Sequence, residues 1–264
     1  AASLGTLIGT LGPIALGIGL LVKGFSRGPK QTTATGIEGT IGGGDVDARQ
    51  FADWIKKGGW FRSDKRGTDY SSISAETAAA LDQTAAAVFN QARAYADAIG
   101  LSADSLASVQ TRIRVQLGKD EAENEKAIAA AFEQYREALA ASLGDALIPF
   151  QKAGETLSET LERLAAISSF SNDINQLGGI FSQIAQLSVS AKEELIGFAG
   201  GIEAFLAKTQ AFVQNYYSQE EQFGLQARQI KQALEAIGIT ANVSTREEFR
   251  RIVEAVDITT SEGR

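Results

Sequence analysis

The sequence contains no cysteine, no histidine and no methionine, and only three prolines in 264 residues. Without cysteine there are no disulfides, no thiolate nucleophile and no Cys-ligated zinc. Without histidine the usual general base near neutral pH and the commonest transition-metal ligand are missing. Methionine is absent even at position 1, so the chain is read either as processed or, preferably, as an internal piece of something longer. Basic residues are the minority, 25 against 32 acidic, for a net charge of −7. That balance disfavours a counterion-releasing grip on phosphates over the chain as a whole. The length suffices for one large domain or two small ones with cores of their own.

Charge is missing altogether from the opening, "AASLGTLIGTLGPIALGIGLLV", which runs from Ala1 to Val22 before Lys23. A secretory signal carries its cations ahead of the apolar stretch; here Lys23, Arg27 and Lys30 come after it, so the segment does not read as a signal peptide. As a helix it would span roughly 33 Å at the standard rise, about the thickness of a bilayer's hydrocarbon core. Leu4, Leu7, Ile8, Leu11, Pro13, Ile14, Leu16, Ile18, Leu20, Leu21 and Val22 form this candidate membrane segment. Gly5, Gly9 and Gly12 make a small-residue ridge suited to close helix packing in lipid. Pro13 would kink a helix in water but is better tolerated in a transmembrane bundle. Insertion into lipid and burial among neighbouring subunits both stay open, and a segment that does each at different times fits the residues best.

The expected fold class is α+β and predominantly helical: the apolar segment 1–25, a small α/β domain 26–147, an amphipathic helical region 148–240, and a capped C-terminal helix with its tail, 241–264. In the α/β part, "TATGIEGTI" reads as a flat, Gly-weakened strand. "DVDARQFADWIKK" reads as a short amphipathic helix with Phe51, Trp54 and Ile55 on one face. "GWFRSDKRGTDYSSIS" reads as a hairpin with an aromatic-led strand, a "DKRG" turn and a polar strand. Ser74 is the predicted cap of an Ala-rich helix that stops at Gly100. "SVQTRIRVQLG" alternates cleanly, with Ile113, Val115 and Leu117 on one face and Arg112 and Arg114 on the other. An acidic first turn from Asp120 opens the next helix. Helices packed on one face of a mostly antiparallel sheet are expected.

Beyond Gly144 the apolar residues step by three and four. Phe150, Ala153, Leu157, Leu161, Leu164 and Ile167 form one stripe. Leu195, Ala199, Ile202, Leu206, Thr209, Val213 and Tyr216 form a second, read as unbroken, and Phe223, Ala227, Ile230, Leu234 and Ile237 a third. Sustained alternation of this kind is the coiled-coil signature, although an intramolecular helical core would write the same pattern. The candidate oligomer core is Leu157, Leu164, Leu195, Ile202, Leu206, Val213, Ile230 and Leu234. Capping boxes at Ser244 with Glu247 and Thr245 with Glu248 announce the last helix.

Motifs that carry chemistry are weak. "GIEGTIGGG" lacks the GK[ST] of a phosphate loop, and "DVDARQFADW" lacks the central Gly and later acids of a calcium loop. Tyr216 and Tyr217 with Glu220 and Glu221 sketch a carboxylate site but read more simply as seam and rim. The aromatics and cations of "WFRSDKRGTDY" suggest base stacking, yet a hairpin tip needs solvated charges in any case. No catalytic, cofactor-binding or metal-binding residue is assigned, and no enzyme is expected.

Three separated strings, "GWFRSDKRGTDYSSIS", "FQKAGETLSETLERLA" and "STREEFRRIVEAVDITTSEG", occur in order. From roughly Gln31 to Arg264 the chain resembles the C-terminal region of tape measure proteins of long, non-contractile-tailed bacteriophages and related prophages. The hydrophobic opening resembles the membrane-active stretch such proteins carry upstream. The resemblance implies a structural virion protein whose C-terminal part sits at the tail tip as a homotrimer, against tail tube and tail tip (distal tail and hub) proteins. It further implies expulsion on infection and help for DNA across the host envelope through a channel in the inner membrane, with no sequence-specific nucleic-acid binding. The chain departs from the family in lacking the long upstream ruler and in stopping at "DITTSEGR", where similar proteins continue. Some relatives carry peptidoglycan hydrolase modules; the missing His and Cys exclude the zinc and thiol versions within this piece. A pore-forming toxin or secreted effector, and a coiled-coil scaffold with no membrane step, are the alternatives.

Overall fold

The computed structural model describes residues 30–58, 60, 62–236 and 250–251, with the side chains of 229, 230 and 232–236 left aside. The apolar segment 1–25, its glycine ridge and the C-terminal capping boxes lie outside the described residues. The described chain is α+β. It falls into two compact units, one ending at Ala165 and the other beginning at Ala166. That division lies inside a helix, whereas the sequence reading divided the chain after residue 147.

The first unit is built on four strands, β1 (Gln31–Gly42), β2 (Asp45–Lys56), β3 (Lys65–Ser72) and β4 (Gln110–Leu117), in the order β3-β2-β1-β4. Every neighbouring pair is antiparallel. The turn between β1 and β2 is Gly43–Gly44, both with positive φ (61° and 89°), the backbone that a two-residue hairpin with the right twist requires. In β4, Ile113, Val115 and Leu117 are buried and Gln110, Arg112, Arg114 and Gln116 exposed, as the alternation predicts.

Two long helices cover one face of this sheet. α1 (Ala75–Ala98) starts at Ser74, whose hydroxyl accepts from the Thr77 N–H at 3.1 Å. It ends at Ile99 and Gly100, where φ is +76° and the Leu101 N–H returns to the Ala96 carbonyl. α2 (Glu121–Ala141) starts at Asp120, which accepts from the Glu123 N–H, with Glu121 and Glu123 in the first turn. α1 packs on β2, α2 on β4, and the two helices on each other. Ile37, Ile41, Ile113, Val115 and Leu117 of the sheet are buried with Leu81, Val88, Phe132 and Leu139 of the helices. Tyr135 is fully buried, and its hydroxyl accepts from the Gly44 N–H, tying α2 to the β1–β2 turn.

Two expectations in this unit are corrected. The segment expected as an amphipathic helix, 45–57, is strand β2 as far as Lys56, paired with β1 from Asp45 to Ile55 and with β3 from Arg49 to Lys56. Its inward residues, Val46, Ala48, Gln50 and Ala52, are small or polar because α1 lies close above them. The period-2 signal was therefore weak, and the spacing of Phe51, Trp54 and Ile55 imitated a helical stripe. The expected hairpin is also displaced. Lys65 and Arg66 already belong to β3, β2 is its partner strand, and residues 57–64 form the connection.

After α2 come a short helix α3 (Gly144–Leu147), a 3₁₀ turn (Ile148–Phe150), and then α4 (Leu157–Asn175). The stripe from Phe150 to Ile167 is thus not one helix: a turn at Ala153–Gly154, with φ +81° at the glycine, separates its ends. In the second unit α4 is followed by α5 (Ile180–Ala185), α6 (Val189–Ala199), α7 (Ile202–Tyr216) and α8 (Gln219–Ala236). The stripe read as unbroken from Leu195 to Tyr216 is interrupted at Gly200 and Gly201, whose φ values of +91° and +110° no ordinary helix accommodates. No described helix is long and apolar enough to cross a membrane.

Candidate functional site

In the second unit the apolar seam gathers around Phe170 and Ile174 of α4 and Phe181 of α5, all buried. Ile196, Ile202, Phe205, Leu206 and Val213 pack against them. Phe170 meets Phe205 edge to face with ring centres 5.0 Å apart. Three of the predicted oligomer-core residues, Ile202, Leu206 and Val213, are therefore brought together inside one chain, half-buried against this cluster. Leu164 is buried, Leu157 is half-buried at the start of α4, and Leu195 is half-buried on α6 outside the cluster. Ile230 and Leu234 fall on α8, but their side chains lie outside the described set.

The seam does not close over all its apolar residues. Phe198 is 87% exposed, Tyr216 77%, Ile180 55% and Phe212 42%. Phe212 stacks on Tyr216 at 5.0 Å and makes edge contacts with Phe181 and Tyr217. This aromatic ridge continues the buried cluster to the surface, the arrangement that apolar contact with another protein surface requires.

The helix starts in this region carry signals that the sequence reading passed over. Thr156 and Glu159 form a capping box: the Glu159 N–H donates to the Thr156 hydroxyl and the Thr156 N–H to the Glu159 carboxylate. Ser218 and Glu221 do the same at α8. That pair also accounts for one of the acids beside Tyr216 and Tyr217, whose carboxyl the Ser218 backbone and side chain hold below the usual range. Glu137 of α2 accepts from the N–H groups of Leu157 and Ser158, adding a second anionic cap to α4. Burial raises the Glu137 carboxyl, but the hydrogen bonds from Ser158 and Leu157 outweigh it and leave the group below the ordinary value. Glu155 sits in a two-pronged pair with Arg163, at 2.7 and 2.8 Å, and accepts from Lys152 N–H and Thr160 as well. Arg163 above all brings its carboxyl down to about 2.

The sheet face away from the helices is a second surface. Arg114 pairs with Asp53 through two contacts of 2.9 Å and with Glu38, and Arg49 pairs with Glu38 at 3.0 Å. Phe51 is buried on this outer face, beneath the Arg114 guanidinium 3.8 Å from its ring centre. Gly36 stands beside it because a Cβ there would overlap both that ring and the Val115 carbonyl. Thr68 and then Arg114 hold the Asp53 carboxyl below its usual range. Next to these pairs lies a shallow depression of about 590 Å³, lined by Glu38, Thr40, Asp47, Arg49, Arg112 and Arg114 among others. The sequence places Arg112 and Arg114 on this face; the partners of Arg114, Glu38 and Asp53, lie on β1 and β2 and need the register to be seen.

Among the described residues no group of three or more His, Cys, Asp or Glu is placed to hold a metal ion. The Gly-rich string is the end of β1 and its turn, and the aspartates of "DVD" lie at the start of β2. No family model matches the chain, and neither a curated protein nor a solved structure is significantly similar to it.

Proposed function

We propose that the chain is the C-terminal part of a tail tape measure protein from a long, non-contractile-tailed phage. In this reading it is held at the tail tip as a homotrimer against tube and tip proteins, and released on infection to help DNA across the host envelope. The observation that carries it is the ordered occurrence of the three strings beginning at Gly59, Phe150 and Ser244. The exposed Phe198, Phe212 and Tyr216 support it as well, since a helical unit that leaves aromatics at its surface suits a protein that works inside an assembly. The role is structural rather than enzymatic. The apolar segment 1–25, uncharged from Ala1 to Val22, serves as the membrane-active part, dry inside the assembly before infection and dry in lipid afterwards.

The test is to induce particles from the genome that encodes the chain and to quantify its peptides by mass spectrometry before and after ejection. Three copies per tail, lost from the particles on DNA release, are expected. Particles that contain none of the chain would overturn the reading and favour a secreted effector. Copies that stay with the emptied tail would leave a scaffold with no membrane step.

A further inference from the structure

The β2–β3 connection gathers charge in a way the rest of the chain does not. Between residues 56 and 66 stand five cations, Lys56, Lys57, Arg62, Lys65 and Arg66, against one acid, Asp64, in a protein of net charge −7. All five cations are exposed. Lys56 and Lys65 face each other directly in the ladder, where like charges destabilise a strand pair. The one carboxylate is engaged locally, accepting from the Gly58 N–H at 2.9 Å. Between the two groups of cations Trp60 is 98% exposed.

Edge protection explains only part of this. β3 is an edge strand, and lysine or arginine on an edge discourages pairing with another sheet. That accounts for Lys65 and Arg66, but it gives no reason for a fully exposed indole or for Lys57 and Arg62 in the connection. An exposed indole flanked along the chain by exposed cations on long aliphatic stems has a specific complement. The ring prefers the boundary between water and hydrocarbon, the stems lie along it, and the charges meet anionic headgroups. Single-stranded nucleic acid also attracts aromatics and cations, but it is held by stacking platforms along a groove that tracks its backbone. Among the described residues the connection between β2 and β3 exposes the Trp60 indole beside cations and shows no groove, which suits a planar surface.

We infer that the β2–β3 finger is a docking tip for anionic membrane lipid, with Trp60 entering the headgroup layer and Lys56, Lys57, Arg62, Lys65 and Arg66 neutralising the headgroups around it. This goes beyond the tail reading and does not depend on it. The full 264-residue chain with Trp54→Phe retains Trp60 as its single tryptophan, so its emission reports on the tip itself, whatever else in the chain touches lipid. On vesicles of phosphatidylglycerol and phosphatidylcholine the Trp60 emission should shift to the blue and be quenched by lipids brominated near the headgroup. The response should be absent on phosphatidylcholine alone and fade between 0.1 and 1 M salt, as the screening length falls from about 10 to about 3 Å. Lys57→Glu, Arg62→Glu and Lys65→Glu together should raise the lipid concentration at half-response by about tenfold or more, with unchanged circular dichroism. Trp60 emission that is unmoved at saturating anionic vesicles overturns the inference, even if the chain sediments with them. An equal response on neutral vesicles overturns it too. A response to a single-stranded oligonucleotide with none to vesicles makes the finger a nucleic-acid contact instead. None of these failures touches the copy number in particles, so the two proposals fail separately.

Discussion

The two units solve the burial problem differently. The first closes a sheet under two capped helices, and it buries Ile37 and Val115 of the sheet with Val88, Phe132, Tyr135 and Leu139 of the helices. The second has a small nucleus, Phe170, Ile174 and Phe181, surrounded by half-buried residues, and its helix α6 has no buried residue at all. A sheet buries a whole face at once, whereas short amphipathic helices bury only what their neighbours cover. The first unit is thus a scaffold in which sheet and helices share buried apolar residues. Both units leave large apolar side chains exposed, among them Trp60 and Ile148 in the first and Phe198 and Tyr216 in the second, but in the second the exposed Phe212 adjoins the nucleus directly through Phe181.

The largest effect expected from this contrast is in the scaffold. Phe132→Ala should cost about 3–5 kcal/mol and strip hydrogen-exchange protection from β4, α1 and α2 together, because one core serves all three. If protection were lost in α2 alone, the scaffold would not be one cooperative unit.

How much of this was legible follows from the same contrast. α1, α2 and β4 could be read because cap, period and end signal agree: Ser74 with Gly100, Asp120 with Glu123, Ile113 through Leu117. β2 could not, because its inward residues are Ala48, Gln50 and Ala52 and its one large buried ring, Phe51, faces the other way. Heptad stepping continues across Gly200 and Gly201, since apolar spacing records which residues face inward and not whether the backbone between them is continuous. The capping boxes at Thr156 and Ser218 are plain in the sequence, each with Glu three residues on. The outer-face pairs of Glu38, Asp53 and Arg114 are not, because register is a long-range property.

A second, smaller effect is tied to pH. The Glu155 carboxyl lies at about 2 against an ordinary 4.5, so its pair with Arg163 stabilises the fold fully above 4.5. That contribution is lost as pH falls from 4.5 through about 2, a loss on the order of 2 kcal/mol. Urea midpoints for the parent and for Glu155→Gln, taken at pH 6 and again at pH 2.5, should converge at the acid end. Midpoints that differ by the same amount at both pH values would mean that ionisation of Glu155 contributes nothing to stability.

Smaller again, Ser218→Ala removes the reciprocal cap of α8 and should cost about 1 kcal/mol, read as faster amide exchange in the first turn of that helix with the scaffold unchanged. Smallest in stability is the pair Phe198→Ser with Tyr216→Ser. These side chains are 87% and 77% exposed, so folding should change by less than about 0.5 kcal/mol. Association is where they should matter.

That expectation leads to sedimentation equilibrium of the intact chain across a wide concentration range. If the uncovered aromatics of the second unit are an assembly surface, the parent should reach three times its 27.9 kDa mass. The variant carrying Phe198→Ser and Tyr216→Ser should then stay at one chain mass while keeping its helical signal. A parent that remains monomeric at every concentration, or a variant that trimerises as well as the parent, would contradict the account.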